Sequence, residues 1–305
     1  MTTTPPPRIL SIAGSDSSGG AGIQADLKTI AMLGGYGMTA ITAVTAQNSV
    51  GVQAIAPLSP EIVLQQIASC AEDIGVDAIK IGMLHDSEII RMVAAALVAT
   101  PGIKARSALG HARRSGGSAA ARFPIILDPV MIATSGAALI APDAVAAMRA
   151  RLFPLATLIT PNLPELSALV GRTIASGADM VAAAEELVEA TGAAVLAKGG
   201  HLPDQGDGAR IIDVLYTPAT DTVGARAVQF DHARIDTRHT HGTGCTLSSA
   251  IATLIGHGQP LEHAVRLARQ FVIRAIEVAP GFGAGNGPLG HQAARQPAVA
   301  GKISP

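Results

Sequence analysis

RILSIAGSDSSGGAGIQADLKTIAMLGG, residues 8–35, decides the architecture. Its first seven residues, RILSIAG, form an aliphatic run too short for a helix, which reads as a buried strand. A loop rich in Ser and Gly follows, and IQADLKTIAMLGG then carries a helical run that ends on two glycines. The order is strand, glycine-rich loop, helix.

The same unit recurs downstream. MTAITAVTAQN (38–48) is a second strand, and SPEIVLQQIASCAEDI is a helix opened by a capping Ser59, with Pro60 and Glu61 in its first turn. AIKIGM, FPIILDPVM, ATLITPN and AAVLAKGG are further strands. Between them DSEIIRMVAAALVA, APDAVAAMRARL, PELSALVG and GADMVAAAEELVEATG are helices. IIDVLYTP and ARAVQFD read as a hairpin at the sheet edge, and CTLSSAIATLIGHG and PLEHAVRLARQFVIRAIEVA as two closing helices. Strands alternating with helices predict a three-layer α/β fold with a largely parallel central sheet flanked by helices. No long linker interrupts the pattern, so one domain is expected over 8–290, with flexible tails at 1–7 and 291–305. Residues 101–122 carry five basic side chains and no acidic ones among clustered Gly, Ser and Ala, and are expected to form a basic surface insertion.

Composition agrees. Of 305 residues 48% are hydrophobic, yet there are only five Phe, two Tyr and no Trp, so aliphatic side chains must fill the core. The net charge of −1, without a long like-charge block, gives no support for nucleic acid or a membrane surface as partner. No secretion signal is expected at the start, and no apolar run reaches membrane length. Two cysteines, at 70 and 245, make no disulfide framework, so a cytoplasmic, reducing location is expected.

In an open α/β sheet, ligands bind beyond the carboxyl ends of the strands. Polar residues at those ends are Ser15 to Gly20, Gln47–Asn48, Gly82–Met83, Asp128–Pro129, Thr160–Asn162 and Lys198–Gly200. There is no Walker-type phosphate loop and no GxSxG elbow. GNGPLG (285–290) satisfies GxGxxG but follows no strand, so it is not a dinucleotide fingerprint.

HTHGTGCTLSSA (239–250) sets Gly242 and Gly244 before a helix start, where free N–H groups and the helix dipole favour an anion. The same position predicts a lowered pKa for Cys245. A zinc site from His239, His241 and Cys245 matches no familiar spacing, and the two histidines are read instead as approach residues. Lys198, one of only five lysines, ends an aliphatic strand before two glycines and suits a phosphate. Asn162 and Glu165 can form a capping box, bind a hydrated Mg²⁺, or both.

Taken together, AGSDSSGGAGIQADLKT, ITAVTAQNSVGVQ, KIGML, LDPVM, LITPNLPE, KGGH and HGTGCTLSSA closely resemble the hydroxymethylpyrimidine/phosphomethylpyrimidine kinases, the thiamine-pathway branch of the ribokinase-like superfamily. Sugar kinases of that superfamily usually carry GAGD in place of GTGC.

The resemblance implies two ATP-dependent phosphorylations. The first takes 4-amino-5-hydroxymethyl-2-methylpyrimidine to its phosphate, and the second takes that phosphate to the diphosphate. It implies that Gln47 binds the pyrimidine, that Gly19, Gly20, Gly22 and Met83 line the pocket around it, and that Asp26, on the substrate side, helps to order that wall. Gly242, Thr243, Gly244 and Cys245 would receive the moving phosphoryl group, Cys245 also accepting or orienting the hydroxyl proton. Lys198, with Asn162 and Thr243, would hold the ATP phosphates, and Asp128, Asn162 and Glu165 would organise Mg²⁺. A homodimer is the family's expectation. Thr134 departs from the family, which often has lysine there. A pyridoxal or pyridoxine kinase of the same branch and a non-catalytic pyrimidine-binding protein are the competing readings.

Overall fold

The computed structural model describes residues 5–100, 103, 123–131, 140, 142–200, 202, 210–220 and 223–294. The expected basic insertion at 101–122 lies outside them except for Ile103, as do Thr134 and residues 1–4 and 295–305.

Among the described residues nine strands form one sheet: β1 (Arg8–Asp16), β2 (Tyr36–Gln47), β3 (Val52–Pro57), β4 (Ala78–Ile81), β5 (Ile125–Leu127), β6 (Leu158–Ile159), β7 (Ala194–Ala197), β8 (Arg210–Thr217) and β9 (Arg226–Ala233), in the order β3-β2-β1-β4-β5-β6-β7-β8-β9. From β2 through β7 neighbours pair in parallel, while β3, β8 and β9 pair antiparallel at the two edges. The α-helices among the described residues include α1 (Gly22–Met32), α2 (Pro60–Ser69), α3 (Ser87–Ala99), α4 (Pro142–Arg151), α5 (Leu163–Val170), α6 (Gly177–Thr191), α7 (Thr243–Gly256) and α8 (Leu261–Glu277).

The strand alternation splits the interior into two cores, because successive side chains leave opposite faces of the sheet. Leu10, Ile125, Leu127, Val195 and Val214 join one core with residues of α2, α3, α4, α5 and α6. Ile9, Ile126, Leu196 and Leu215 join the other with α7 and α8. Strands buried on both sides are what the aliphatic runs predicted. The sheet therefore lies between two helical layers, and its parallel strands all end on one rim.

Two details depart from expectation. β3 was missed because VQAIAP is mostly exposed and pairs only at an edge. Pro7 is buried and accepts the N–H of Tyr36, and His291 is 1% exposed, so ordered packing extends into both predicted tails. GNGPLG turns back over the domain, where a Cβ on Gly285 would lie 2.1 Å from Ser49 O. Its glycines serve close backbone packing. Among the described residues no helix is long and apolar enough to cross a membrane.

Candidate active site

The rim carries a cavity of about 600 Å³. The sheet order arranges its lining. Gly14, Asp16, Thr45, Gln47 and Met83 come from the β2–β1–β4 end, Asp128 and Asn162 from the middle, and Lys198, Ile211, Asp213 and His232 from the β7–β9 end. The start of α7, Gly242 to Cys245, lines it as well.

Two glycine-rich segments form its floor, and they interlock. Gly242 caps α7 at φ 86°, and a Cβ there would stand 1.9 Å from Gly20 O, so no other residue fits this turn. Asp16 ties the same segments together. Its carboxylate accepts from Ser18 N and Oγ, from Ala21 N at 2.8 Å and from His241 Nε2 at 2.7 Å. Burial would raise the Asp16 pKa, but the hydrogen bonds from His241, Ser18 and Ala21 outweigh it and hold it below the usual carboxylate range. His241 is 5% exposed and bound in this clasp. It also lines the cavity.

The helix begins at Thr243, two residues before the expected Cys245. Thr243 N–H donates to Thr240 O at 3.3 Å, leaving the N–H groups of Gly244 and Cys245 as the donors for an anion among the described residues. The expectation of a lowered Cys245 pKa is reversed. Burial pushes the thiol up to about 11, although the Lys80 charge and the Gly22 N–H directed at it act in the opposite sense. The dipole of one helix end is worth less here than the cost of a thiolate in a crowded wall.

Lys198 Nζ lies 2.9 Å from Asp128 Oδ1, which also accepts from Thr160 Oγ1 at 3.1 Å. A Cβ on Gly244 would be 3.1 Å from Asp128 Oδ2 and 3.3 Å from Lys198 Nζ, so this ion pair stands directly before the start of α7. Burial alone would lower the Lys198 pKa, but Asp128 and Glu165 hold it above the ordinary lysine value. The cation is permanent.

Asn162 and Glu165 make the predicted capping box, with Asn162 Oδ1 accepting from Glu165 N at 2.9 Å and Glu165 Oε2 from Asn162 N at 2.7 Å. Glu165 is 3% exposed, and burial raises its pKa to about 7; Lys198 opposes this and the Asp128 charge adds to it. Among the described residues no three His, Cys, Asp or Glu side chains gather around a point that could hold a metal. Two hard carboxylates short of positive charge nonetheless fit a Mg²⁺ held mostly by water and phosphate oxygens.

The structure brings Gln47, Gly22 and Met83 into the cavity wall, together with Asp128, Asn162, Glu165, Lys198 and the Gly242–Cys245 turn. Gly19, Gly20 and Asp26 are not part of that wall. Gly20 packs against His241, and Asp26 is fully buried beneath the floor. There it accepts from Lys80 Nζ at 2.8 Å, Ser11 Oγ at 2.6 Å and Ser249 Oγ at 2.7 Å. Burial would depress the Lys80 pKa, but Asp26 holds it above the lysine norm. Sequence reading missed Lys80, His232, Asp213 and Arg269. Lysine inside the strand AIKI was the one available signal, since an interior strand admits a charge only with a partner.

The profile of the phosphomethylpyrimidine kinase family matches residues 16–105 and 116–290. The hydroxymethylpyrimidine/phosphomethylpyrimidine kinase of Rhizobium meliloti is 45% identical over 285 residues, covering 92% of this chain and 96% of that protein. Among solved structures, an ADP complex of Bacillus subtilis pyridoxal kinase superposes with a TM-score of 0.76 at 34% identity, covering 95% of this chain and 99% of that one. The phosphomethylpyrimidine kinase of Clostridium difficile superposes with a TM-score of 0.69 at 36% identity, covering 88% of this chain and 99% of that one. On sequence and on its three-layer ribokinase-like fold, the chain belongs to the phosphomethylpyrimidine kinase family.

Proposed function

We propose that this chain transfers the γ-phosphoryl group of ATP to the 5-hydroxymethyl group of 4-amino-5-hydroxymethyl-2-methylpyrimidine, and in a second turnover to the resulting monophosphate. The carrying observation is one cavity in which Gln47 and Met83 lie at one end and Lys198 at the other, with the N-terminus of α7 lining the same space.

Each residue then has a task its chemistry suits. The Gln47 amide presents a donor and an acceptor side by side, complementary to a ring nitrogen and the exocyclic amine. Gly22 and Met83 supply wall for the ring. Lys198 neutralises charge on the ATP phosphates, and the Gly244 and Cys245 N–H groups receive the charge that develops on the moving phosphoryl group. Asp128 and Glu165, with Asn162, would hold Mg²⁺ largely through water. When bound, that ion screens the phosphates from one another. Thr243 remains within reach of the phosphates through its side chain. A cytoplasmic homodimer is proposed on the family resemblance alone.

Pyridoxal is the second reading, favoured by the superposition on Bacillus subtilis pyridoxal kinase. The deciding experiment offers purified protein ATP and Mg²⁺ with the pyrimidine alcohol, its monophosphate or pyridoxal, in separate reactions. Turnover of both pyrimidines is the expected result. Consumption of pyridoxal alone sinks the proposal, and no ATP turnover with any of the three leaves a binding protein.

A further inference from the structure

A half-buried imidazole at the β7–β9 end of the cavity has its tautomer set by a neighbour. His232, on β9, lines the cavity, and its Nδ1 lies 2.7 Å from Arg269 Nη2. Arg269, on α8, is 7% exposed. Its Nε donates to Asp213 Oδ2 at 2.8 Å, its Nη2 also reaches Phe230 O at 3.1 Å, and the guanidinium sits 5.4 Å from the Phe230 ring centroid.

A guanidinium can only donate. His232 Nδ1 must therefore accept, which leaves the proton on Nε2 and the ring neutral. Burial, and then the Arg269 charge, also lower the His232 pKa, against the opposing pull of Asp213 and Asp231 and with a small contribution from Arg210. Among the described residues nothing hydrogen-bonds Nε2. The edge of the ring away from Arg269 thus offers the cavity one fixed, uncharged donor.

The surroundings say what meets it. Leu247, Val272, Ile276 and Ile235 add apolar wall to the cavity, which suits the faces of a planar base. Asp213, which Arg269 grips, also accepts the Gly199 N–H at 2.8 Å and so anchors the turn directly after Lys198. One arginine thereby orients both the cavity donor and the segment that carries the phosphate-facing lysine.

We propose that His232 is a specificity-determining residue for the nucleoside triphosphate, its Nε2–H donating to an acceptor atom of the base or the ribose, with Arg269 as its positioning residue. This rests on the placement of ATP at the β7–β9 end argued above.

The test measures binding of β,γ-methylene-ATP by calorimetry, which needs no turnover. His232→Ala weakens binding by about five- to tenfold, the loss of one hydrogen bond. His232→Gln, whose amide nitrogen falls near the imidazole Nε2 position, stays close to wild type, whereas His232→Asn, which places its amide near Nδ1, behaves like alanine. The KM for the pyrimidine does not move in any of the three. If the effect of His232→Ala disappears with the 2′-deoxy analogue, the contact is to the ribose 2′-hydroxyl; if it persists, it is to the base or to another ribose oxygen. The ¹⁵N shifts of the wild-type ring should report the Nε2–H tautomer at neutral pH, and Arg269→Met should mix the two tautomers.

Unchanged analogue affinity in His232→Ala overturns the proposal, as does a wild-type ring protonated on Nδ1. Failure of the pyrimidine assignment is distinguishable, because it would appear as absent turnover while the nucleotide-binding differences remained.

Discussion

Lys80 Nζ lies 2.8 Å from Asp26 Oδ2, and neither side chain has any exposed surface. The pair joins β4 to α1, and Ser249 Oγ, 2.7 Å from Asp26 Oδ1, extends the join to α7 one turn after Cys245. The floor of the cavity is thus fastened from below by ionic and hydroxyl hydrogen bonds rather than by apolar packing alone.

Removing one partner of such a pair strands the other charge. Lys80→Met should therefore cost about 3–5 kcal/mol in urea unfolding. Adding Asp26→Asn, whose Oδ1 accepts from one of Ser11 and Ser249 while its Nδ2 donates to the other, and which carries no charge, should recover a clear part of that loss. Equal stability of the single and double variants would mean that the stranded carboxylate is not the cause.

Gln47 stands in the cavity wall at the β2 end, with its Oε1 3.2 Å from Thr45 Oγ1. Gln47→Ala should raise the KM for the pyrimidine by roughly tenfold or more, the loss of one or two hydrogen bonds to a buried ring. The KM for ATP should stay constant. A parallel rise in both constants would place Gln47 outside the ring pocket.

With its pKa near 11, Cys245 rests as a thiol at neutral pH. Site-resolved mass spectrometry should find slow iodoacetamide labelling of Cys245 at pH 7 and a rate that climbs steadily as pH approaches the pKa. Fast labelling at pH 7 would instead indicate a stabilised thiolate and restore its candidacy as a base.

His291 links pH to stability. Burial, aided by the Lys28 charge, lowers its pKa from 6.5 to about 4, and its Nε2 lies 2.8 Å from Thr246 Oγ1. The folded state disfavours the proton, so the unfolded chain binds it first on acidification. This stabilisation is complete above about pH 6.5, declines between 6.5 and 4, and is worth about 3 kcal/mol across that window. His291→Gln should be less stable at pH 7.5 yet lose less stability between pH 7 and 5 than the wild type. Identical slopes in thermal unfolding would remove His291 from the account.

The layer architecture was legible before folding was considered. Aliphatic strand runs and helical periodicity are local patterns, and each reports whether one face or both are covered. The strand ends that meet at the rim were legible for the same reason, since a parallel sheet sends every carboxyl end to one side. The capping box of Asn162 and Glu165 was legible because its partners are three residues apart.

Which polar groups face the cavity and which lie beneath it follows from how distant segments meet in the folded chain. Asp26 and Lys80 are 54 positions apart, and Asp16 and His241 are 225 apart. Nothing in either local sequence reveals that Asp26 would support the wall from beneath through a buried lysine. The same holds for Cys245. Its place at a helix start was readable and argued for a lowered pKa, but the burial that reverses the shift comes from chain segments that converge only on folding.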